Sequence, residues 1–347
     1  MRVRLYGGFT ILRISICALV MLGIFLVKWI SDSYNLIGYP VASYYSLSEN
    51  YTIPFSYVNR STKLDKSTLI NLQNFKFIIN HDRCQSITPI ILILIHSAPQ
   101  NFAKRNFIRT TWGGKLRYTS TFFLVGFSKK YNYLINQENL YYKDLIQGNF
   151  IDSYRNMTYK HAMAFKWVIY HCPGVKYVLK LDDDAYVNMN ALLKYAKYDI
   201  PPFTPTNFIF CDVIKGTKVK RSWRSKWRVS PIEYGVNYYP PYCAGWAIIY
   251  STDIIVSLYQ TLQNEPYFWI DDVHITGTLV KKNNFTLTSM DSTILRKKLI
   301  ADILTSNMTY NNILFYLPNL TTHEIHYIVV NDIDISFNKI FNIFSPK

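Results

Sequence analysis

Three short runs of apolar residues give the middle of the chain a regular alternation. The runs are PIILILIHS from Pro89, TFFLVGF from Thr121 and KYVLKL from Lys176. Each has the length of a strand that is buried on both faces. Between them lie stretches of helical character at 104–112 and 156–170, and the second can gather its apolar side chains on one face. Strands that alternate with helices predict an α/β fold with a mainly parallel central sheet.

An apolar stretch over residues 11–30 precedes this alternation. It is close to the roughly 20 residues that cross a bilayer core, and three arginines stand before its uninterrupted part. The positive-inside rule keeps residues 1–10 in the cytoplasm, so we predict a single-pass type II signal anchor. A cleaved signal peptide is the alternative, but no small-residue cleavage site follows. Residues 31–85, rich in Ser, Tyr and Asn, are predicted to form a stem, and residues 86–347 a lumenal folded domain.

Cysteine usage fits an oxidising compartment. Outside the apolar stretch the chain has Cys84, Cys172, Cys211 and Cys243, an even number that is compatible with two disulfides. Four cysteines allow three pairings, and the sequence does not select one. No two of them form a CxxC pair, so a zinc site is disfavoured.

The chain is basic, with 38 Lys and Arg against 22 Asp and Glu and a net charge of +16. This excess favours a polyanion, an anionic membrane or a phosphorylated small molecule as partner. A hydrophobic content of 49% excludes wholesale disorder, and 17% charged residues is low for a chromatin protein. Six basic residues and two tryptophans lie together in KVKRSWRSKWR at 218–228. This segment is interpreted as a solvated loop or as a loop that closes near a ligand; a nucleic-acid groove would require a chain that is not lumenal.

Three consecutive aspartates, Asp182, Asp183 and Asp184, follow the third apolar run directly. Adjacent carboxylates repel one another unless a cation or strong donors offset the repulsion. Parallel sheets bind ligands at the carboxyl ends of their strands, near a switch in strand order. Hard oxygen ligands there suit Mn²⁺ or Mg²⁺, which take further ligands from substrate phosphates. A solvated acidic turn or a helix cap is the alternative.

Six motifs occur in order between Pro89 and Val280. They are RNFIRTTW (105–112), FLVG (123–126), DLIQGNFIDSYRNMTYK (144–160), KYVLKLDDDAYVN (176–188), KWRVSPIEYGVNYYPPYCAG (226–245) and IDDVHITG (270–277). This set resembles the beta-1,3-galactosyltransferase family of inverting, Golgi-resident enzymes. That family includes beta-1,3-N-acetylglucosaminyltransferases and, more distantly, the fringe enzymes.

The resemblance implies a GT-A fold that binds a UDP-sugar at the DDD motif. It implies that Asp184 is a direct metal ligand, that Asp182 and Asp183 support the metal or the ribose, and that Asp272 is the catalytic base. If Asp271 and Asp272 open a helix, their side chains point about 100° apart, so only one is expected to face the sugar. The other is expected to cap the helix, and capping by both is the alternative.

Two further site residues follow from the resemblance. Relatives often complete their metal site with a histidine near the carboxyl end, for which His326 and His323 are the candidates. Arg109 is interpreted either as a nucleotide-binding residue or as a structural ion-pair partner. Trp246 stands where the family has a small residue after Gly245, which leaves the acceptor or sugar specificity open.

The function implied is metal-dependent, inverting transfer of galactose or N-acetylhexosamine from a UDP-sugar to a glycan hydroxyl in beta-1,3 linkage. The acceptor would be on protein or lipid, the metal Mn²⁺ or Mg²⁺, the location the Golgi membrane, and nucleic acid would not be a partner. Two alternatives remain. One is a transferase of the same fold with another donor or linkage, and the other is a catalytically silent lumenal relative that acts as a lectin-like or chaperone module.

Overall fold

The computed structural model describes residues 67–81, 84, 88–114, 116–199, 207–295 and 313–316. The predicted anchor at 11–30, most of the predicted stem, and His326 lie outside the described residues. Within the described part of the chain, no helix is both long enough and apolar enough to cross a membrane.

Eleven strands form two sheets within the described residues. In chain order they are β1 Phe77–Ile79, β2 Ile91–His96, β3 Thr119–Phe127, β4 Leu145–Ile151, β5 Tyr177–Asp182, β6 Tyr186–Val187, β7 Ile209–Ile214, β8 Tyr242–Ser251, β9 Thr288–Ser289, β10 Ile294–Leu295 and β11 Phe315–Tyr316. The large sheet has the order β1-β4-β3-β2-β5-β8-β7-β9, and the small one β10-β11-β6.

The predicted parallel sheet is confirmed for the centre of the large sheet. Strands β4, β3, β2 and β5 are parallel neighbours, and the three predicted apolar runs are β2, β3 and β5. All six residues of β2 are buried because it lies between two other strands and is covered on both faces. The flanking strands β1, β8 and β7 pair in antiparallel fashion, which the apolar runs did not predict.

Helices cover this sheet. They are α1 Phe102–Thr110, α2 Asn132–Tyr142, α3 Met157–His171, α4 Met189–Lys194, α5 Thr252–Leu262 and α6 Val280–Lys282, with 3-10 turns at Tyr154–Asn156 and Asp291–Thr293 and π-helices at Tyr195–Asp199 and Val273–Leu279. The two helical stretches expected from the sequence are α1 and α3. Twelve of the 15 residues of α3 are buried, so this helix is part of the core.

The strand order changes direction between β2 and β5. After β2 the chain adds β3 and β4 on one side, and then returns to place β5 on the other side of β2. The last residues of these strands, His96 and Asp182, are register partners. Folds of this kind bind their ligands at such a change of strand order, beyond the carboxyl ends of the strands.

Two disulfides join elements that are distant in the chain, as predicted. Cys84 binds Cys172 directly after α3, and Cys211 in β7 binds Cys243 in β8. The predicted boundary between stem and domain at residue 85 lies too far along the chain. Strand β1 pairs with β4, and Phe75 is buried in the same core, because apolar side chains of this segment complete the edge of the sheet.

Candidate active site

The acidic turn after β5 is fastened by its middle residue. The carboxylate of Asp183 accepts hydrogen bonds from Ser97 Oγ and Asn101 Nδ2, both at 2.8 Å, and from Lys104 Nζ at 2.9 Å. Its side chain is only 8% exposed. These donors from the loop after β2 and from α1 tie the acidic turn to that loop through Asp183. Cofactor binding by Asp183 stays a prediction.

The two outer aspartates remain open. The side chain of Asp184 is 49% exposed, and Lys104 Nζ lies 3.8 Å from its Oδ2. Asp182 is half-buried and accepts from Lys180 Nζ at 2.6 Å. Burial raises the pKa of Asp182, although the charge of Lys180 opposes the rise. Two carboxylates with free oxygens therefore stand at the carboxyl edge of the sheet, next to the change in strand order.

These two carboxylates fit a metal ion that completes its coordination elsewhere. Among the described residues, no group of three or more His, Cys, Asp and Glu side chains is arranged to hold a metal. Mn²⁺ and Mg²⁺ are often held by one or two carboxylates together with substrate phosphates, and Asp182 and Asp184 supply that donor set. The predicted third ligand, His326, lies outside the described residues.

Lys180 links the acidic turn to the next strand. Its side chain is buried within β5, and its Nζ donates both to Asp182 and to the carbonyl oxygen of Gly245 in β8. Burial alone would lower the pKa of Lys180, but the charges of Asp182 and Asp271 outweigh it and raise that pKa. The ammonium group therefore stays charged and balances carboxylates on both sides.

The second acidic pair separates into two roles. Asp271 Oδ2 lies 3.0 Å from Nδ1 of His161, which must donate because a carboxylate only accepts. Burial lowers the pKa of His161, so the ring is neutral and its Nε2 accepts from the Tyr250 hydroxyl at 3.2 Å. Burial raises the pKa of Asp271, but the hydrogen bond from His161 and the charge of Lys180 bring it below its ordinary value. Asp271 is therefore a fixed, ionised group.

Asp272 is the freer of the two. Its Oδ1 accepts from the Val273 N–H at 2.8 Å, so Asp272 itself caps the π-helix that follows. The prediction that Asp271 would be the cap is wrong, because the carboxylate of Asp271 is held by His161. Burial, followed by the negative charge of Asp271, raises the pKa of Asp272 to about 7. A Cβ added to Gly245 would lie 3.4 Å from Asp272 Oδ2, so a glycine there leaves room for the carboxylate.

A buried arginine holds the loop that follows β2. Arg105 makes two hydrogen bonds to Glu138, at 2.8 and 2.7 Å, and it also donates to Ser97 Oγ and to the carbonyl oxygens of Ala98 and Pro99. Ser97 in turn donates to Asp183. The sequence motif that contains Arg105 is thus connected to the acidic turn through one hydroxyl group.

Arg109 has the structural role that the sequence left open. Its guanidinium donates to Asp144 at 2.8 and 2.9 Å and to Glu138 at 2.6 Å, and it lies over the ring of Tyr142, 3.9 Å from the centroid. These ion pairs hold the side chain between α1, α2 and the start of β4, as the structural alternative expects, and nucleotide binding by Arg109 stays a prediction.

Sequence reasoning missed several residues that join the acidic groups. Lys180, His161 and Tyr250 were not singled out, although a lysine inside the apolar run KYVLKL is itself a signal that a buried charge has a partner. The partners of His161 and Lys180 are 110 and 65 residues away in the chain. Trp246, which raised the question of specificity, is buried, and its ring lies 6.1 Å from that of Phe315.

Residues 217–240, between β7 and β8, are referred to below as the basic loop. Backbone hydrogen bonds join Val219 to Asn237 and Val229 to Lys220. Its buried side chains form a small apolar cluster with the segment that leads to Asp272; the members are Val219, Val229, Tyr239, Tyr242, Phe268, Trp269 and Val273. The basic loop is therefore packed against the helix start that carries the second acidic pair.

The chain is similar to known galactosyltransferases. The protein-family model described as Galactosyltransferase matches residues 103–291. Beta-1,3-galactosyltransferase 1 of Mus musculus is 35% identical over 222 residues, which is 61% of this chain and 67% of that protein. Beta-1,3-galactosyltransferase 2 of Homo sapiens is 33% identical over 221 residues, which is 61% of this chain and 52% of that protein.

Similarity to solved structures is weaker. A glycosyltransferase involved in the glycosylation of the major capsid of PBCV-1 is 12% identical, with a TM-score of 0.35, over 67% of this chain and 95% of that chain.

Proposed function

Because the chain belongs to the galactosyltransferase family and is a glycosyltransferase, we propose that it moves galactose or N-acetylhexosamine from a UDP-sugar to a glycan hydroxyl in beta-1,3 linkage. The catalytic domain would have a GT-A fold and act in the Golgi lumen behind the predicted signal anchor at 11–30. The donor class, the linkage and the location are the proposal; similarity to beta-1,3-galactosyltransferases 1 and 2 supports it.

One observation carries the mechanism: Asp272 has a free carboxylate oxygen and a pKa raised to about 7, and it stands beside Asp271, an ionised carboxylate that His161 holds by a hydrogen bond. A general base works best when its pKa lies near the working pH. Asp272 Oδ2 is the atom that would accept the proton from the acceptor hydroxyl as that oxygen attacks the sugar. Oδ1 keeps the carboxylate oriented through its bond to Val273 N–H.

We assign the UDP-sugar donor to the acidic turn after β5. Asp184 and Asp182 would hold Mn²⁺ or Mg²⁺, which when bound neutralises charge that develops on the departing diphosphate. Asp183 keeps the turn in place through its three donors, and Ser97 connects that turn to Arg105. A donor held at Asp184 and an acceptor hydroxyl activated by Asp272 would meet the reacting sugar carbon from opposite sides, and such an attack would invert its configuration.

Lys180 connects the two halves of the reaction. Its ammonium binds Asp182 on the donor side and the carbonyl of Gly245, whose Cα lies against Asp272, on the acceptor side. The charge of Lys180 also lowers the pKa of Asp271. A rigid, charged contact of this kind keeps a constant distance between the base, Asp272, and the leaving-group site at Asp182. Catalysis depends on such fixed placement of the reacting groups.

The test is a donor screen with the full-length protein in detergent and Mn²⁺, in which UDP release is measured with and without simple sugar acceptors. We expect Asp272→Asn to keep metal-dependent UDP binding in calorimetry and to lose at least about a hundredfold in transfer. Asp184→Asn is expected to lose metal-dependent UDP binding. Asp253→Asn, which changes a carboxylate outside the site in the first turn of α5, is the matched control and should keep both.

Asp272→Asn and Asp184→Asn are expected to have opposite effects on UDP binding, so the experiment can contradict the roles assigned to these two residues. If Asp272→Asn loses UDP binding while Asp184→Asn keeps it, the roles are reversed. If the wild-type protein turns over no UDP-sugar with any metal or acceptor, the silent relative replaces the enzyme as the better account.

A further inference from the structure

The basic loop carries an unbalanced positive charge on its surface. Five of its basic residues are exposed, namely Lys218, Lys220, Arg224, Lys226 and Arg228. The acidic residue of the loop, Glu233, is already engaged by the Ser230 N–H at 2.7 Å and by Arg155 at 3.3 Å. Among the residues that the structure describes, none of the five cations lies within 4 Å of a carboxylate, which leaves their charge available to a partner.

A sixth basic residue of the loop, Arg221, has a structural role. Arg221 donates to the carbonyl oxygens of Val229, Tyr234 and Val236, at 2.7–3.0 Å. With the apolar cluster beneath it, this arginine gives the loop a fixed conformation. The exposed cations are therefore presented by an ordered surface, which reduces the entropy that binding would cost.

Large aromatic side chains lie on the same surface. Trp223 is 77% exposed and Trp227 is 44% exposed, and the basic groups of Arg224 and Lys226 lie over these two rings. Exposed tryptophan, tyrosine and arginine together are typical of recognition surfaces. Flat aromatic faces can pack against the apolar C–H faces of a sugar ring, while the cations around them meet charged substituents.

This surface adjoins Asp272 through Tyr154 and Trp269. Trp227 Nε1 donates to the Tyr154 hydroxyl at 2.7 Å, and the ring of Tyr154 lies 6.0 Å from that of Trp269. Burial raises the pKa of Tyr154, and the charges of Asp272, Asp271 and Asp182 add to the rise, against the hydrogen bond from Trp227. The described hydrogen bonds and ion pairs of the acidic turn come from the loop after β2, from α1 and from β5, with none from the basic loop. The basic loop therefore flanks the place where the acceptor hydroxyl would meet its base.

We propose that the basic loop makes this protein selective for an anionic acceptor, a glycan that carries a sulfate, phosphate or carboxylate group close to the hydroxyl that is glycosylated. The inference rests on the proposed transferase activity and adds the chemical class of the acceptor. The cations supply attraction at the rim of the site, where charge mainly improves encounter and discrimination. Trp227 and Tyr154 supply the face on which the acceptor ring lies.

The first experiment compares matched acceptors. Transfer by the full-length protein is measured with phenyl β-galactoside and phenyl β-N-acetylglucosaminide, and with the 6-sulfate of each. We expect kcat/KM to be at least about threefold higher for the sulfated member of the pair that is accepted, and we expect this advantage to shrink in 0.5 M NaCl. Equal or better use of the neutral member, in a protein that transfers efficiently, overturns the proposal and leaves the transferase function standing.

The second experiment removes the charge. Lys226→Gln combined with Arg228→Gln is expected to raise KM for the sulfated acceptor about three- to tenfold and to raise KM for the neutral acceptor clearly less, because Lys226 also lies over the ring of Trp227. Lys176→Gln combined with Lys281→Gln is the matched control, because these lysines lie outside the basic loop and Lys176 also lies over a neighbouring ring. An equal rise in KM for neutral and sulfated acceptors, or an equal effect of the control, contradicts the proposal.

A third measurement separates a glycan from a lipid surface. Binding of the wild-type protein and the Lys226/Arg228 variant to phosphatidylcholine vesicles with and without phosphatidylserine is compared by co-sedimentation. Loss of vesicle binding in the variant, without any change in acceptor preference, would make the loop a membrane contact and overturn the proposal. Loss of all donor turnover in the wild-type protein would instead refute the transferase function itself.

Discussion

Two adjacent aspartates acquire different chemistry from the groups they contact. Asp271 is held by a neutral histidine and stays ionised, and its charge, after burial, is the main reason that Asp272 has a pKa near 7. The pair is an example of two carboxyl groups whose surroundings move their pKa values apart, which identifies the proton acceptor. The sequence predicted that only one of them faces the sugar, and it predicted the helix cap on the wrong residue, because the contact with His161 is made across 110 positions.

The raised pKa of Asp272 predicts how the transfer rate responds to pH. Below pH 7 the carboxyl group is protonated and no longer accepts a proton, so kcat/KM should fall by about tenfold per pH unit. The charged and titratable groups that face Asp272 are Asp271, Asp182, Lys180, Tyr154, Tyr239, Tyr242 and Tyr250. A rate profile that stays flat from pH 7 to pH 5 would contradict the assignment.

The same pKa predicts an effect on stability with a definite sign. The pKa of Asp272 is higher in the folded than in the unfolded protein, so its contribution to folding is present below about pH 4 and is lost as pH rises through about 7. Asparagine carries no charge at either pH. The free energy of unfolding of Asp272→Asn, compared with that of the wild-type protein, should therefore be more favourable at pH 8 than at pH 4, by roughly 1–2 kcal/mol after allowance for screening at a half-buried site. Urea unfolding of the wild-type protein and the variant, without metal and at the two pH values, measures this difference. A gain in the free energy of unfolding that is larger at pH 4 than at pH 8 would contradict the raised pKa of Asp272.

The elements that the sequence predicts are those that interact with near neighbours in the chain. Strands β2, β3 and β5 are continuous apolar runs because both faces are covered, and α1 and α3 follow from their periodicity. Strands β1 and β7 are short or only partly buried, and their place at the flanks of the sheet depends on pairings with β4 and β8. Local pattern carries little information about such pairings, so the antiparallel half of the sheet was not predicted.

Gly245 in β8 lies so close to Asp272 that a larger residue there should displace the carboxylate. A methyl group at Gly245 would lie 3.3 Å from Asp272 Cβ and 3.4 Å from its Oδ2, so the carboxylate must shift by a few tenths of an ångström. Gly245→Ala is expected to lower kcat roughly tenfold and to cost only about 1 kcal/mol in stability. Gly235→Ala is the control, since its nearest neighbour would be 3.9 Å away. A kcat equal to that of the control would show that the position of the base tolerates this change.

At the scale of the whole molecule, the two disulfides constrain different things. Cys84–Cys172 closes a span of 88 residues and ties the first strand region to the end of α3, whereas Cys211–Cys243 closes 32 residues that include the entire basic loop. The sequence predicted two bonds but left the pairing open, because pairing is decided by which strands become neighbours. Both bonds agree with the oxidising compartment that we propose for the domain.

These bonds predict two distinguishable phenotypes. Replacing either pair with alanine should lower the free energy of unfolding by about 3–5 kcal/mol, because the unfolded chain loses a constraint. Loss of Cys211–Cys243 should in addition raise KM for the acceptor, since it frees the base of the loop, while loss of Cys84–Cys172 should leave KM unchanged. Unfolding curves and acceptor kinetics of the two double variants, measured on the folded fraction, test this; identical KM values would contradict a link between that bond and acceptor binding.

The anchoring of the basic loop has a consequence for how such a protein can diversify. Its two ends are closed by a disulfide and by the ladder between β7 and β8, and its interior is held by Arg221 and its own apolar cluster. A segment with its own fastening can change its exposed residues without disturbing the scaffold that carries Asp182, Asp184 and Asp272. The loop is thus a cassette: exchanging the surface residues of 217–240 between relatives should transfer acceptor preference while the catalytic groups stay as they are.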